Sequence, residues 1–153
     1  MANTYTQLYI QFVFAVENRV SLIQQYWEDE LYKYMTGITQ NHKHKMIAIN
    51  GVSDHIHVFI GLNPLQSISS YMQTLKGESS EWINLKKFTK EKFQWQAGYG
   101  AFSYSKSHIN IVYNYIMNQK EHHKKQTFLE EYKQFLKEFE IEYKDEYLFH
   151  EVK

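Results

Sequence analysis

Two apolar runs separated by a short turn-forming segment fix the middle of this chain. Lys45 to Asn50 holds Met46, Ile47, Ala48 and Ile49. Gly51-Val52-Ser53-Asp54 then turns the chain back into His55-Ile56-His57-Val58-Phe59-Ile60. Runs this short and rich in β-branched and aromatic residues, joined by turn residues, read as a β-hairpin. Side chains alternate along a strand, so Ile56, Val58 and Ile60 point into a core while His55 and His57 share the opposite face. Their Cα atoms are then about 7 Å apart, close enough for the two imidazoles to share one metal ion.

The segments around the hairpin read as further strands and helices. Tyr5 to Val16 alternates as a first strand, with Leu8, Ile10, Phe12 and Phe14 on one face and Tyr9, Gln11 and Val13 on the other. Ser21 is placed to cap a helix running to about Gln40, with Ile23, Trp27, Leu31, Tyr34 and Met35 on its core face. Gly61-Leu62-Asn63-Pro64 ends the histidine strand, and Ser67 opens a helix to about Lys86 with Ile68, Tyr71, Met72 and Leu75 as its buried stripe. Gly77 lies inside that helix, where a glycine suggests close backbone approach. Phe93 to Gln96 and Gly98 to Ser105 form an irregular fourth strand. A helix follows from about Ser107 to Lys124, then an amphipathic helix from Thr127 to Phe139 and a tail from Tyr143.

The order β-α-β-β-α-β predicts an α+β fold: a ferredoxin-like (RRM-like) sandwich. Its four-stranded antiparallel sheet carries helices on one face, and an additional C-terminal helix follows. The 153 residues suit one domain, with a core of about 5–125, and no linker or repeat marks a boundary. There is no cysteine, which excludes disulfides and thiolate metal sites. Seventeen basic residues balance seventeen acidic ones, which argues against generic adhesion to duplex DNA. Aromatics reach 17%, a surplus that could stack on unpaired bases. No signal peptide or membrane span is visible, and a cytoplasmic location is expected.

On the helix after the fourth strand, residues four apart share a face, so Tyr115 and Gln119 project together. At about 100° per residue, His108, Tyr115, Gln119 and His122 fall within roughly 60° of one another. Ile109, Val112, Tyr113 and Ile116 cluster on the packing side, so geometry selects Tyr115 over Tyr113. A tyrosine can act as a nucleophile, and a divalent metal can polarise the phosphate it attacks. Imidazoles with an amide oxygen suit Mg²⁺ or Mn²⁺. His122 or His123 could replace Gln119 as the third ligand, and Asp54 could orient a histidine.

His55-Ile56-His57 matches the HUH motif, in which U is a bulky apolar residue, and Tyr115-Ile116-Met117-Asn118-Gln119 matches a Tyr-x-x-x-Gln helix. Together they resemble the single-tyrosine HUH transposases, the TnpA-type enzymes of the smallest insertion sequences and their repeat-associated relatives. Leu75-Lys76-Gly77 and Trp95 to Ser103 extend the likeness over most of the chain. The resemblance implies a homodimer that binds single-stranded DNA at hairpins near element ends. It further implies a divalent metal on His55, His57 and Gln119, and attack by Tyr115 to give a 5′-phosphotyrosine and a free 3′-OH. In such dimers the tyrosine helix of one subunit can complete the other's site. Two different readings stand beside it: a single-strand nucleic-acid binding module on a ferredoxin-like sheet, and a host-adopted HUH nuclease that no longer transposes. Arg19 is the sole arginine, and Lys76, Lys86 and Lys87 are candidate DNA contacts.

Overall fold

A computed structural model of the chain describes residues 3–142. The strands are β1 (Tyr9–Ala15), β2 (Lys45–Val52), β3 (His55–Gly61) and β4 (Gly100–Tyr104). The helices are α1 (Gln25–Asn41), α2 (Ile68–Lys86), α3 (Ile109–Met117), α4 (Gln119–His122) and α5 (Phe128–Glu138). The sheet order is β2-β3-β1-β4, with antiparallel neighbours throughout. This is the ferredoxin-like arrangement expected from the order of elements. The tail from Tyr143 lies outside the described residues.

Alternation along the strands divides the molecule into two cores. Phe12, Phe14, Ile56, Val58 and Ile60 face α1 and α2, where they pack with Trp27, Leu31, Met35, Tyr71, Met72 and Leu75. Val13, Ala15 and Phe102 face the other way and meet Phe128, Tyr132, Phe135 and Leu136 of α5. Ala48 and Phe59, on that same side, pack with Val112 and Ile116 of α3. The sheet is therefore covered on both faces. The central strand β3 holds the two histidines, paired with β1 on one side and β2 on the other. His57 lies opposite Val13 and Asn50; His55 lies opposite Ala15 and Val52.

Local chemistry explains most element ends, and several differ from the sequence expectation. Ser67 caps α2 by accepting from the Ser70 amide at 3.1 Å, and Thr127 caps α5 by accepting from the Glu130 amide at 3.2 Å. Ser21 caps nothing: α1 begins only at Gln25, because the Ile23 amide is tied to the Ser53 carbonyl at 3.0 Å and holds the approach extended. The hairpin turn is shorter than expected, since Gly51 and Val52 belong to β2. A side chain at Gly51 would run into the His55 carbonyl and the Ile56 Cα, so a glycine is needed there. Gly77, in contrast, has open space where a Cβ would sit and makes no close approach. Tyr34 and Tyr113 are exposed, not core, and Tyr34 stacks on Trp82 at 4.8 Å. The fourth strand is only Gly100–Tyr104; Trp95 contributes a single bridge to Val16.

Candidate metal centre and nucleophile

The helix expected over 107–124 is broken. After a short 3-10 turn, α3 ends at Met117, and Asn118 takes φ −98° and ψ 17° before α4 starts at Gln119. Asn50 of β2 reaches across, and its Nδ2 donates to the Ile116 carbonyl at 3.0 Å and the Met117 carbonyl at 3.2 Å. A tertiary partner thus satisfies carbonyls that a continuing helix would have used. The break reorients the residues that a single wheel places together. Gln119 turns fully into the sheet and is buried, Tyr115 stays half-buried above His57, and His108 is exposed among Ser105 and Ser107.

The imidazoles of His55 and His57 are 0% exposed, with ring centroids 5.3 Å apart. His55 Nδ1 donates to Asp54 Oδ1 at 2.7 Å, so the expected orienting role of Asp54 is present in the geometry. His57 Nδ1 donates to Gln11 Oε1 at 2.7 Å, and Gln11 Nε2 in turn donates to the Tyr104 hydroxyl at 2.9 Å. Both rings are therefore held by one nitrogen, with Nε2 turned inward. Gln119 Oε1 stands 3.3 Å from His55 Nε2.

One further residue fills the centre. Glu131, on α5, is 1% exposed. Its Oε1 lies 3.0 Å from His57 Nε2, 3.4 Å from His55 Nε2 and 3.2 Å from His123 Nε2. Its Oε2 accepts from the Tyr115 hydroxyl and, at 3.1 Å, from Gln119 Nε2. His55, His57 and Glu131 form a buried triad whose ligand atoms lie within 4.8 Å of one another. His123 joins the cluster through Glu131, whereas His122 stacks on the Tyr115 ring at 4.6 Å and faces no other ligand.

Burial and neighbouring charge oppose each other across the cluster. Burial opposes a negative charge on Glu131, but the imidazoles of His57, His123 and His55 outweigh it and hold the carboxyl far below its usual range. Burial also works against charge on His55, yet Asp54 and Glu131 raise its pKa; on His57 burial wins and the pKa falls. Both ring nitrogens of His57 face oxygens, Nδ1 the Gln11 amide and Nε2 the Glu131 carboxylate. Second-sphere acceptors on each Nδ1, here Asp54 and Gln11, are the usual companions of metal-bound histidines. The donor set fits a metal ion. Tyr115 is pushed above the ordinary phenol range, first by burial and then by the Glu131 carboxylate.

Residues 4–119 match the family described as "Transposase IS200 like". The chain belongs to the IS200-like transposase family. The fold has solved counterparts. A candidate transposase from Deinococcus radiodurans R1 superposes with a TM-score of 0.61 at 20% identity, covering 78% of this chain and 95% of that one. A REP-associated tyrosine transposase, solved bound to a REP hairpin, gives 0.60 at 16% identity, covering 80% and 73%. At these identities the likeness concerns the fold. A search of curated proteins gave no match. No helix among the described residues is long and apolar enough to cross a membrane.

Within this IS200-like chain, the remaining candidates separate. Lys76 sits on the α2 side of the sheet and donates to the Gln96 and Gly98 carbonyls, both at 2.8 Å. It straps the 96–98 loop and is not a free phosphate contact. Lys86 and Lys87 are exposed at the end of α2. Sequence reasoning missed Gln11 and Glu131. Glu131 did leave a signal: Phe128, Tyr132, Phe135 and Leu136 form an apolar stripe at helical spacing, and Glu131 is a charge on that stripe. Charged residues are rarely fully buried without a partner. Gln11 left none beyond lying on the face of β1 opposite Phe12 and Phe14.

Proposed function

We propose that this chain cleaves and rejoins single-stranded DNA through Tyr115, with a divalent metal, Mg²⁺ or Mn²⁺, held by His55, His57 and Gln119. The observation that carries it is the gathering of two inward-facing Nε2 atoms, the Gln119 amide and the Tyr115 hydroxyl around one buried point, in a chain of this family. When bound, the metal supplies Lewis-acid polarisation of the scissile phosphate and neutralises its developing charge. The protein's own part is orientation. Asp54 and Gln11 fix the two rings, and Asn50 ends α3 so that Gln119 turns inward beneath Tyr115. Tyr115 Oη then forms a bond to phosphorus as the P–O3′ bond breaks. The phenol loses its proton and the departing 3′ oxygen gains one, leaving a 5′-phosphotyrosine and a free 3′-OH. Attack of another 3′-OH reverses the step at a new junction.

DNA hairpins at element ends are the proposed substrate, supported by the structural relative solved with a REP hairpin. A homodimer is the proposed assembly, on the family resemblance. The test is a denaturing-gel assay for a covalent protein–DNA adduct. Single-stranded oligonucleotides from the gene's flanks are incubated with Mn²⁺ or Mg²⁺, and with chelator. A metal-dependent adduct that disappears in Tyr115→Phe is expected. An active Tyr115→Phe protein would remove the nucleophile assignment. Tight metal-independent binding without adduct would favour a nucleic-acid binding module.

A further inference from the structure

The side chains of the proposed metal centre are closed off from solvent, and the nearest cleft, lined by Gln11, Tyr104, Tyr115, Glu131 and Phe135, stops at Glu131. His55, His57 and Gln119 are 0% exposed and Glu131 is 1% exposed. The cover is α5. Phe128 stacks on the His55 ring at 4.2 Å, Phe135 lies 5.1 Å from Phe102 and 5.7 Å from Tyr115, and Tyr132 fills the space over Gly100. Beneath that apolar layer sits a single anion, shared between two tasks. One Glu131 oxygen faces His55, His57 and His123; the other accepts from Tyr115 and Gln119.

Those two tasks are the ones a scissile phosphodiester has to perform under the proposed function, on which this inference rests. One phosphate oxygen has to face the imidazole cluster while the phosphorus meets the Tyr115 hydroxyl. We propose that Glu131 is an internal stand-in for the substrate phosphate, and that α5 is a lid which single-stranded DNA must displace to reach Tyr115. A standing metal ligand is the competing role for this carboxylate. It fits less well, because the second oxygen already holds the hydroxyl of the nucleophile. The lid has the build for detachment. It is 11 residues long, and helices of that length are marginal in water without packing. It follows the last turn of α4 through a short exposed segment, Lys124 to Thr127 with only Gln126 half-buried.

The test uses the full chain with Glu131→Gln and Glu131→Ala. Three readouts are taken: adduct formation with the flank oligonucleotides, Mn²⁺ binding by electron paramagnetic resonance, and amide hydrogen exchange over 128–138. If the open form is the minor one, freeing it raises the apparent rate in proportion, so both variants should form adduct at least about tenfold faster. Their Mn²⁺ affinity should stay within about threefold of the parent, well short of a lost ligand. Exchange over 128–138 in the parent should speed up when oligonucleotide is added. Loss of Mn²⁺ binding together with adduct in Glu131→Gln would make Glu131 a standing ligand and overturn the proposal. Unchanged or slower exchange with oligonucleotide would overturn it too. If no protein forms adduct, the nucleophile assignment fails, and the exchange result alone still decides whether DNA lifts α5.

Discussion

Each histidine of the centre is steered by a different neighbour, and that division makes the contributions separable. Asp54 holds His55 through a charged acceptor, while Gln11 holds His57 through a neutral amide that is itself tied to Tyr104. Outer partners of metal-bound histidines are worth about 10–100-fold in affinity. Asp54→Asn is therefore expected to weaken Mn²⁺ binding by about that factor with little change in fold. Titration of Mn²⁺ followed by electron paramagnetic resonance checks it; unchanged affinity would mean that Asp54 serves only the turn. His55 and His57 were readable from sequence, because period-two alternation assigns both to one face whatever else the chain does. Glu131 was not, because its partners lie on β3, α3 and α4. A charge on an apolar stripe announces that a partner exists without saying which.

Among the elements, the helices divide by what ends them. The caps at Ser67 and Thr127 are local, and so were visible in the sequence. The stop at Asn118 is not local: Asn50, on another strand, takes up the released carbonyls. No glycine or proline marks the break, which is why a continuous helix was expected over 107–124. The same limit misplaced Gly77, whose reason cannot be close packing, since nothing lies within 4 Å of its missing Cβ. Gly77→Ala should then stabilise the protein by about 1 kcal/mol, the helix-propensity difference alone. For a chain of this length that is a rise in melting temperature of about 2–4 °C. A calorimetric scan checks it, and a fall would reveal a contact that the open space does not show.

For the whole molecule, the sheet is a partition between two unequal cores. The larger one ties β1 and β3 to α1 and α2; the smaller one ties β1 and β4 to α5. Phe12→Ala strikes the larger core and should cost the fold about 3–5 kcal/mol in urea denaturation. Phe102→Ala strikes the smaller one, whose partner can leave as a unit, so the global loss should be lower while exchange over 128–138 quickens. Equal global losses would mean that α5 unfolds only with the rest. The order of elements was enough to expect the ferredoxin-like sheet, since few topologies accommodate a central hairpin flanked by helix and strand on either side. Nothing in that order says how the second face is closed.

Two lysines near the centre are already engaged. Lys120 pairs with Glu28 at 2.9 Å and leans on Asn50 and Gly51; Lys124 pairs with Glu121 at 2.9 Å. Affinity for single strands loses about 0.7 decades per decade of salt for each phosphate that a protein neutralises, through release of condensed counterions. Lys76, Lys120 and Lys124, committed to the protein's own carboxylates and carbonyls, would release few. Any salt dependence of the protein's grip on a strand would then report on exposed lysines such as Lys86 and Lys87 at the end of α2, and not on those beside the centre.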